Sequence, residues 1–207
     1  MGVRLFIAIP LPSSLAVRAS QLIPEGLPGL RRVPPENLHV TLAFLGYTPD
    51  ERLPDATSAA SVGAAEVGPF RLSFEGAGRF PERGRPRVLW LAITEGRESL
   101  LRLGTAVAAA LRARDLRFDD RPLSPHLTLA RVPDAVGLTE ARAVAAAVEQ
   151  LQPPKLATDV REIVVMQSVL SRSGPTYTAL SHAALRGSSP PGDFRALNSE
   201  FTEGSFE

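Results

Sequence analysis

A short motif made of a histidine, any residue and a threonine occurs twice in this sequence. The first copy is Leu-His-Val-Thr-Leu at residues 38–42, and the second is Pro-His-Leu-Thr-Leu at residues 125–129. Side chains two residues apart on a β-strand point to the same face. Each copy therefore places an imidazole beside a hydroxyl on one face, while the opposite face is apolar enough to be buried.

Two imidazoles that face one phosphodiester could supply both proton transfers of its cleavage. One ring, unprotonated, takes a proton from the attacking water, and the other, protonated, gives a proton to the leaving oxygen. A histidine with an ordinary pKa near 6.5 is present in both forms near neutral pH. If His39 and His126 share a site, the hydroxyls of Thr41 and Thr128 would hydrogen-bond the non-bridging phosphate oxygens.

One copy of the motif would be weak evidence for catalysis, whereas two copies in comparable settings favour a paired active site. The chemistry requires no metal and no cofactor. No local metal-ligand spacing such as His-Glu-x-x-His occurs, and the chain has no cysteine, so we expect no metal. The third histidine, His182, lacks such neighbours and is expected to be structural or exposed.

The elements that must position the two motifs follow the same order in both halves of the chain. Strand, helix and motif strand are predicted over residues 4–9, 13–23 and 38–44, and again over residues 87–93, 97–114 and 126–131. Such a duplication predicts a pseudo-twofold axis, with both histidine faces lining one cleft.

The remaining elements indicate the fold class. They are a Gly/Pro-rich loop at 24–35, a helix at 49–67, a strand at 70–75, a loop at 76–86, a helix at 138–151, and strands at 162–170 and 176–180 joined by a turn at 171–175. Hairpin-like pairs interrupt the alternation of strand and helix. An α+β fold with antiparallel or mixed sheets, and helices outside, therefore fits better than a doubly wound parallel sheet.

The length of 207 residues suits one domain built from two packed halves. We predict a single domain over 1–187 and a flexible acidic tail over 188–207, where four carboxylates accompany one arginine. The net charge is only +1, whereas proteins that bind duplex nucleic acid usually carry a dense basic stripe. The apolar run at 4–9 is too short for a signal peptide, so we expect a cytoplasmic protein without a membrane partner. With no exposed apolar stripe evident, we expect a monomer.

The motifs and their surroundings resemble the two-histidine (2H) phosphoesterase superfamily. Within it they are similar to the bacterial and archaeal RNA 2′,3′-cyclic phosphodiesterase family, also called 2′-5′ RNA ligase. The similarity covers roughly residues 3–183. It is carried by RLFIAI at 4–9, PENLHVTLAFLG at 35–46, PRVLW at 86–90, PHLTLAR at 125–131 and the segment from Ser168 to Tyr177.

The resemblance implies a bilobal fold with a central cleft and a metal-independent reaction. RNA 3′ ends bearing a 2′,3′-cyclic phosphate, or small cyclic nucleotides, would be hydrolysed to 2′-phosphates with the 3′-oxygen leaving. A slow, ATP-independent joining of RNA ends through a 2′-5′ linkage is implied as well. Matched by position, the site residues are His126 as base, His39 as acid, Thr41, Thr128 and Arg131 as phosphate ligands, and Phe44 as a platform for a nucleobase.

Several of these residues have a structural alternative. Phe44 could belong to the core, depending on how regular its strand is, and Arg131 could form a surface ion pair. Trp90 lies in an apolar run and is expected in the core, whereas Tyr177 could reach the cleft. The arginines of the loop at 79–87 could clamp RNA phosphates, although a solvated loop is the more ordinary interpretation.

Two other functions remain open from the sequence. One is hydrolysis of another cyclic phosphate or of a 2′-5′ oligonucleotide. The other is an RNA-binding module that keeps the fold without turnover, against which the intact histidine and threonine of both motifs argue.

Overall fold

The structure, a computed structural model, describes residues 1–27, 29–171 and 174–188. Within these ranges the chain forms strands and α-helices in the following order: β1 Gly2–Pro10, α1 Ser13–Ser20, β2 Arg31–Arg32, β3 His39–Pro49, α2 Leu53–Ala65, β4 Phe70–Phe80, β5 Val88–Glu95, α3 Arg97–Arg112, β6 His126–Arg131, α4 Leu138–Glu149, β7 Leu156–Val160, β8 Glu162–Ser171 and β9 Gly174–Ala184. Single turns of 3-10 helix at Pro35–Asn37 and Asp50–Arg52 precede β3 and α2.

The strands form two sheets. The order in the first sheet is β3-β1-β8-β9, and the order in the second is β2-β6-β5-β4-β7. Every pairing among these strands is antiparallel. The predicted α+β fold is confirmed, and its sheets are antiparallel rather than mixed.

The two motif strands occupy corresponding places in the two sheets. β3 pairs with β1, and β8 pairs with β1 on its other side. In the same way β6 pairs with β5, and β4 lies beyond β5. The strand that opens each predicted half therefore lies between its motif strand and another strand of the same sheet.

Along the two central strands, alternate side chains face the hydrophobic core. On β1 the side chains of Leu5, Ile7 and Ile9 are fully buried in the core, and on β5 those of Leu89 and Leu91 are. Burying one such side chain stabilises the fold by roughly 1.5–3 kcal/mol. The intervening residues point to the opposite face of each sheet, which carries the motif histidines.

Helices α2 and α3 pack against each other and bury apolar residues in the core. Gly63 of α2 lies so close to Val107 of α3 that an added Cβ would meet the Val107 backbone at 2.8 Å. The face that α3 turns to the core is apolar, because Leu100, Leu103, Val107 and Leu111 are fully buried.

Several boundaries differ from the sequence prediction. The loop predicted at 76–86 is wrong in its first part, because β4 continues to Phe80 and pairs with β5 through Ala77. The helix predicted at 13–23 ends at Ser20. Strand β7 was not predicted, and β2 lies inside the segment expected to be a loop.

Two predictions fall wholly or partly outside the described residues. The turn at 171–175 includes residues 172 and 173, and the acidic tail is described only at Ser188, whose carbonyl accepts a hydrogen bond from the Gly68 N–H at 3.3 Å. The division into one domain and a tail stays a prediction. Within the described ranges, no helix is long and apolar enough to cross a membrane.

Candidate active site

His39 is the first residue of β3 and is held by the turn that precedes the strand. Its Nδ1 lies 2.7 Å from the carbonyl oxygen of Asn37, two residues earlier. A carbonyl oxygen only accepts hydrogen bonds, so Nδ1 carries the proton and donates it. The other nitrogen, Nε2, is consequently the atom left to exchange a proton with a substrate.

His126, the first residue of β6, repeats this arrangement. Its Nδ1 lies 2.7 Å from the carbonyl oxygen of Ser124, again two residues earlier. The same reasoning assigns the proton to Nδ1 and leaves Nε2 for chemistry. Both imidazoles are half-buried. The chain therefore presents two rings of the same tautomer, fixed by the same backbone contact.

Aromatic rings enclose His39. The ring of Phe6 lies 4.8 Å from the imidazole, and the ring of Tyr177 on β9 meets it edge-on at 5.3 Å between centroids. Asn37 helps to hold β9 here, because its side-chain amide donates to the Pro175 carbonyl at 2.8 Å. Tyr177, which the sequence left open, thus contacts the predicted catalytic ring.

A different aromatic pair lies against His126. The ring of Phe80 meets the imidazole edge-on at 5.1 Å, and Trp90 lies 6.5 Å from it. Trp90 is half-buried and shares the histidine face, so its expected place in the core is wrong. Space for the indole comes from Gly78, where an added Cβ would lie 2.3 Å from the Trp90 ring. Sequence reasoning missed Phe80 because it placed residues 76–86 in a loop.

A one-residue bulge in β3 turns Phe44 onto the face of His39. The pairing of β3 with β1 skips Leu42, and both Leu42 and Ala43 are buried in the core. The alternation therefore shifts by one residue, and the next side chain on the histidine face is that of Phe44. Phe44 pairs directly with Phe6, whose ring touches His39.

The same bulge recurs in β6. The pairing of β6 with β5 skips Leu129, and Leu129 and Ala130 are both buried in the core. Arg131 consequently lies on the face of Thr128 and His126. Among the described residues, the Arg131 guanidinium has no carboxylate partner. The alternative of a surface ion pair is therefore not observed there.

Burial lowers the pKa of His39 below its ordinary value. The Asn37 carbonyl opposes this effect by raising the pKa, while the positive charges of Arg131 and His126 lower it further. Burial also lowers the pKa of His126, the Ser124 carbonyl raises it, and Arg131 lowers it. The Arg131 charge therefore acts in the same direction on both imidazoles, and both shifts favour the uncharged ring.

The two motif threonines are half-buried on the histidine faces. In the described part of the chain, neither the Thr41 nor the Thr128 hydroxyl has a hydrogen-bond partner. Both hydroxyls are therefore free to donate to an oxyanion. Phe44 has its ring partly covered, because the Arg4 guanidinium lies 4.6 Å from the ring centroid.

Three of the arginines at 79–87 have polar partners within the protein. Arg79 donates to the Gly84 carbonyl at 2.8 Å, and Arg85 donates to the Pro133 carbonyl at 3.1 Å. Arg87 lies 3.4 Å from the carboxylate of Asp134. These contacts favour the structural interpretation over a phosphate clamp.

His182 also has a local partner. Its Nδ1 lies 3.2 Å from the Glu162 carboxylate on the neighbouring strand, and the side chain is exposed. Its expected structural role fits this contact. No cluster of three or more His, Cys, Asp or Glu side chains able to hold a metal occurs in the described ranges.

Comparison with known proteins identifies the relatives of this chain. The sequence pattern of the 2′-5′ RNA ligase superfamily matches residues 11–171. An RNA 2′,3′-cyclic phosphodiesterase of Archaeoglobus fulgidus is 33% identical over 183 residues, which cover 86% of this chain and 97% of the relative. A Thermus thermophilus protein of the same name is 36% identical over 192 residues, covering 89% of this chain and 91% of the relative.

Solved structures agree with these sequence matches. A Thermus thermophilus structure superposes with a TM-score of 0.70 at 32% identity, covering 89% of this chain and 98% of its own. Escherichia coli LigT in complex with 3′-AMP gives a TM-score of 0.70 at 27% identity, with 89% of this chain and 99% of LigT covered. The fold described above is thus that of these proteins.

Proposed function

The chain belongs to the 2′-5′ RNA ligase superfamily, and from that membership we propose that it is a phosphodiesterase that opens RNA 2′,3′-cyclic phosphates with His39 and His126. Its curated relatives are named RNA 2′,3′-cyclic phosphodiesterases. The product proposed is the 2′-phosphate, with the 3′-oxygen as leaving group.

The observation that carries this proposal is the shared geometry of the two imidazoles, each of which donates Nδ1–H to a carbonyl 2.7 Å away and keeps Nε2 for a substrate. Arg131 lowers the pKa of His39 and of His126. A positive charge flanked by two rings with free Nε2 atoms suits a phosphate monoanion. In the proposed complex the negative charge of the bound phosphate opposes that of Arg131 and so favours protonation of one ring.

Hydrolysis then needs one proton removed and one supplied. Nε2 of His126 takes a proton from water as the water oxygen bonds to phosphorus. Nε2–H of His39 gives a proton to the 3′-oxygen as its bond to phosphorus breaks. Throughout, both Nδ1–H groups stay hydrogen-bonded to their carbonyls, which holds the rings in register. Before the next cycle His126 loses its extra proton to solvent, and His39 takes one up from solvent.

The threonines and Phe44 hold the substrate in this scheme. Thr41 and Thr128 donate to the non-bridging oxygens, where negative charge builds up during transfer. Phe44 offers a face on which the nucleobase stacks, a contact worth about 1–3 kcal/mol. Because Arg4 already covers part of that ring, the base either displaces its guanidinium or stacks beside it.

Ligation follows from the same arrangement. When a 5′-hydroxyl takes the place of water, His126 removes its proton, the 3′-oxygen leaves with the proton of His39, and a 2′-5′ linkage forms. No nucleotide cofactor is consumed, because the energy of the new bond comes from the opened cyclic phosphate.

The deciding experiment is product analysis with a nucleoside 2′,3′-cyclic phosphate in EDTA. We expect the 2′-phosphate from the wild type and its loss in His39→Ala and in His126→Ala. A 3′-phosphate product would contradict the assigned leaving group, and a requirement for added divalent metal would contradict the two-histidine mechanism. Binding of cyclic-phosphate RNA without turnover would favour an RNA-binding module instead.

A further inference from the structure

Two arginines lie directly opposite each other on neighbouring strands at the edge of the second sheet. Arg31 of β2 pairs with Arg131 of β6 in antiparallel register. Cross-strand partners leave the sheet on the same side, with Cα atoms about 4.5–5.5 Å apart. Like charges in this arrangement destabilise a sheet. An anion bound between the two guanidinium groups would therefore relieve their repulsion.

The side on which this pair lies is the histidine side. Arg131 also pairs with Val88 of β5, and Val88 pairs with Phe80 of β4. The ring of Phe80 touches His126 at 5.1 Å. This cross-strand row thus runs from the neighbour of His126 outward to Arg31 at the sheet edge.

Arg32, the next residue, points the other way. Its guanidinium donates to the Pro24 carbonyl at 2.8 Å, and its cross-strand partner is the core residue Ala130. Arg31, by contrast, has neither an ion pair nor a side-chain hydrogen bond with any residue in the described ranges. One strand of two residues therefore carries a structural arginine and an unpaired one.

Arg31 lies farther from the reacting centre than Arg131. In the second sheet β2 is the edge strand beyond β6, so Arg31 lies one strand farther from β5 than Arg131 does. Its exposed guanidinium is therefore placed beyond the reacting phosphate, outward along the sheet. A ligand that neutralises both arginines needs two negative groups side by side.

We propose that Arg31 binds the phosphodiester immediately 5′ to the cyclic phosphate, so that the protein prefers an RNA chain end to a free cyclic nucleotide. This inference rests on the proposed function, since it assigns the next phosphate of the same substrate. In an RNA that ends in a 2′,3′-cyclic phosphate, the neighbouring phosphate is always the 5′ one. Arginine suits it because its planar fork binds phosphate oxygens bidentately.

The test compares three substrates on the full chain. They are a nucleoside 2′,3′-cyclic phosphate, a dinucleotide ending in the same cyclic phosphate, and that dinucleotide with an uncharged methylphosphonate linkage. For the wild type we expect kcat/KM on the charged dinucleotide to exceed that on the other two by about five- to tenfold. The substrate comparison needs no variant and so does not depend on folding of one.

Arg31→Gln should remove the preference and leave the mononucleotide rate unchanged. Arg32→Gln is the matched control, because it removes the same charge from the opposite face and should keep the preference. The slope of log kcat/KM against log salt concentration on the charged dinucleotide should fall by about 0.7 in Arg31→Gln, as for one lost contact to a single strand.

Equal wild-type rates on all three substrates would overturn the Arg31 assignment and leave the proposed function intact. The assignment would also be overturned if Arg31→Gln lowered all three rates alike, or lowered the methylphosphonate rate as much as the charged one. Absence of turnover on every substrate would instead overturn the proposed function, and the Arg31 assignment with it.

Discussion

The surroundings of His39 and of His126 share one backbone plan and differ in their side chains. In both, the motif strand pairs with the central strand of its sheet, the pairing skips the second leucine of the motif, and the imidazole is fixed by a carbonyl two residues earlier at 2.7 Å. The backbone contact that fixes Nδ1 of each imidazole is thus the same in both halves.

The rows of cross-strand partners show where the halves diverge. In the first sheet the rows are Thr41–Ala8–Val164 and Phe44–Phe6–Met166; in the second they are Thr128–Trp90–Gly78 and Arg131–Val88–Phe80. The residue after the bulge is aromatic in one half and cationic in the other. The same backbone plan therefore presents an aromatic ring in the first sheet and a guanidinium in the second, for which we propose base stacking and phosphate binding respectively.

The largest effect is expected where the halves are alike, at the histidines. His39→Ala and His126→Ala should each lower kcat by about 10²–10⁴, because each removes one proton transfer. A cyclic phosphate with sulfur at the 3′ bridging position needs little protonation of its leaving group. This substrate should restore much of the rate to His39→Ala and little to His126→Ala.

His182→Ala is the control for that pair and should keep full activity, because its ring contacts Glu162 rather than the site. Rescue of His126→Ala instead of His39→Ala would show that His126 is the acid and His39 the base. Equal rescue of both variants would contradict the assignment of one histidine as acid and the other as base.

The threonines come next in size. Thr41→Val and Thr128→Val keep the side-chain shape and remove one donor to the phosphate oxygens, so each should lower kcat by about 10- to 100-fold. Thr105→Val is a matched control, because its hydroxyl donates to the Leu101 carbonyl within α3. An effect confined to KM would mean that the hydroxyls bind ground state and transition state equally.

Arg131→Gln tests the difference between the two bulges. Since the Arg131 charge lowers the pKa of His39 and His126, its removal should raise both. The acid limb of kcat/KM should move to higher pH, with a loss of roughly tenfold at the optimum from the missing phosphate contact. Phe44→Leu, the same position in the other half, should weaken binding without moving the limb. NMR titration of the imidazole protons measures both effects.

The smallest effect concerns stability and pH. The folded pKa of His39 is lowered, so between that value and the unfolded value near 6.5 the unfolded chain binds more protons. Stability is therefore full above about pH 6.5, falls as the pH drops through this window, and levels off below the folded pKa. His39→Gln should flatten this dependence in thermal unfolding between pH 7.5 and 5. An unchanged slope would show that His39 is not a source of it.

Part of this site could be predicted from local sequence alone. The alternation of a strand is fixed by its own backbone, so His39 and Thr41 had to share a face, as did His126 and Thr128. The pattern of hairpins and helices likewise sufficed for the α+β class.

Pairing between distant segments decided the rest. Phe44 and Arg131 lie on the histidine faces because Leu42 of β3 and Leu129 of β6 have no partner on β1 and β5. This pairing depends on the neighbouring strand as well as on the sequence of the motif strand. Trp90 joined the site because Gly78 on another strand leaves room for it.

Arg31 is the clearest case of a residue that only tertiary structure could place. Its strand has two residues, too few for any periodicity, and it lies in a segment that resembles a loop. Hydrogen bonding to β6 makes it a strand and sets it opposite Arg131. The sequence alone determined that each motif histidine lies beside a threonine on one face of its strand, because side-chain alternation is local. Which groups surround the substrate was decided by strand register, because register depends on residues far apart in the chain.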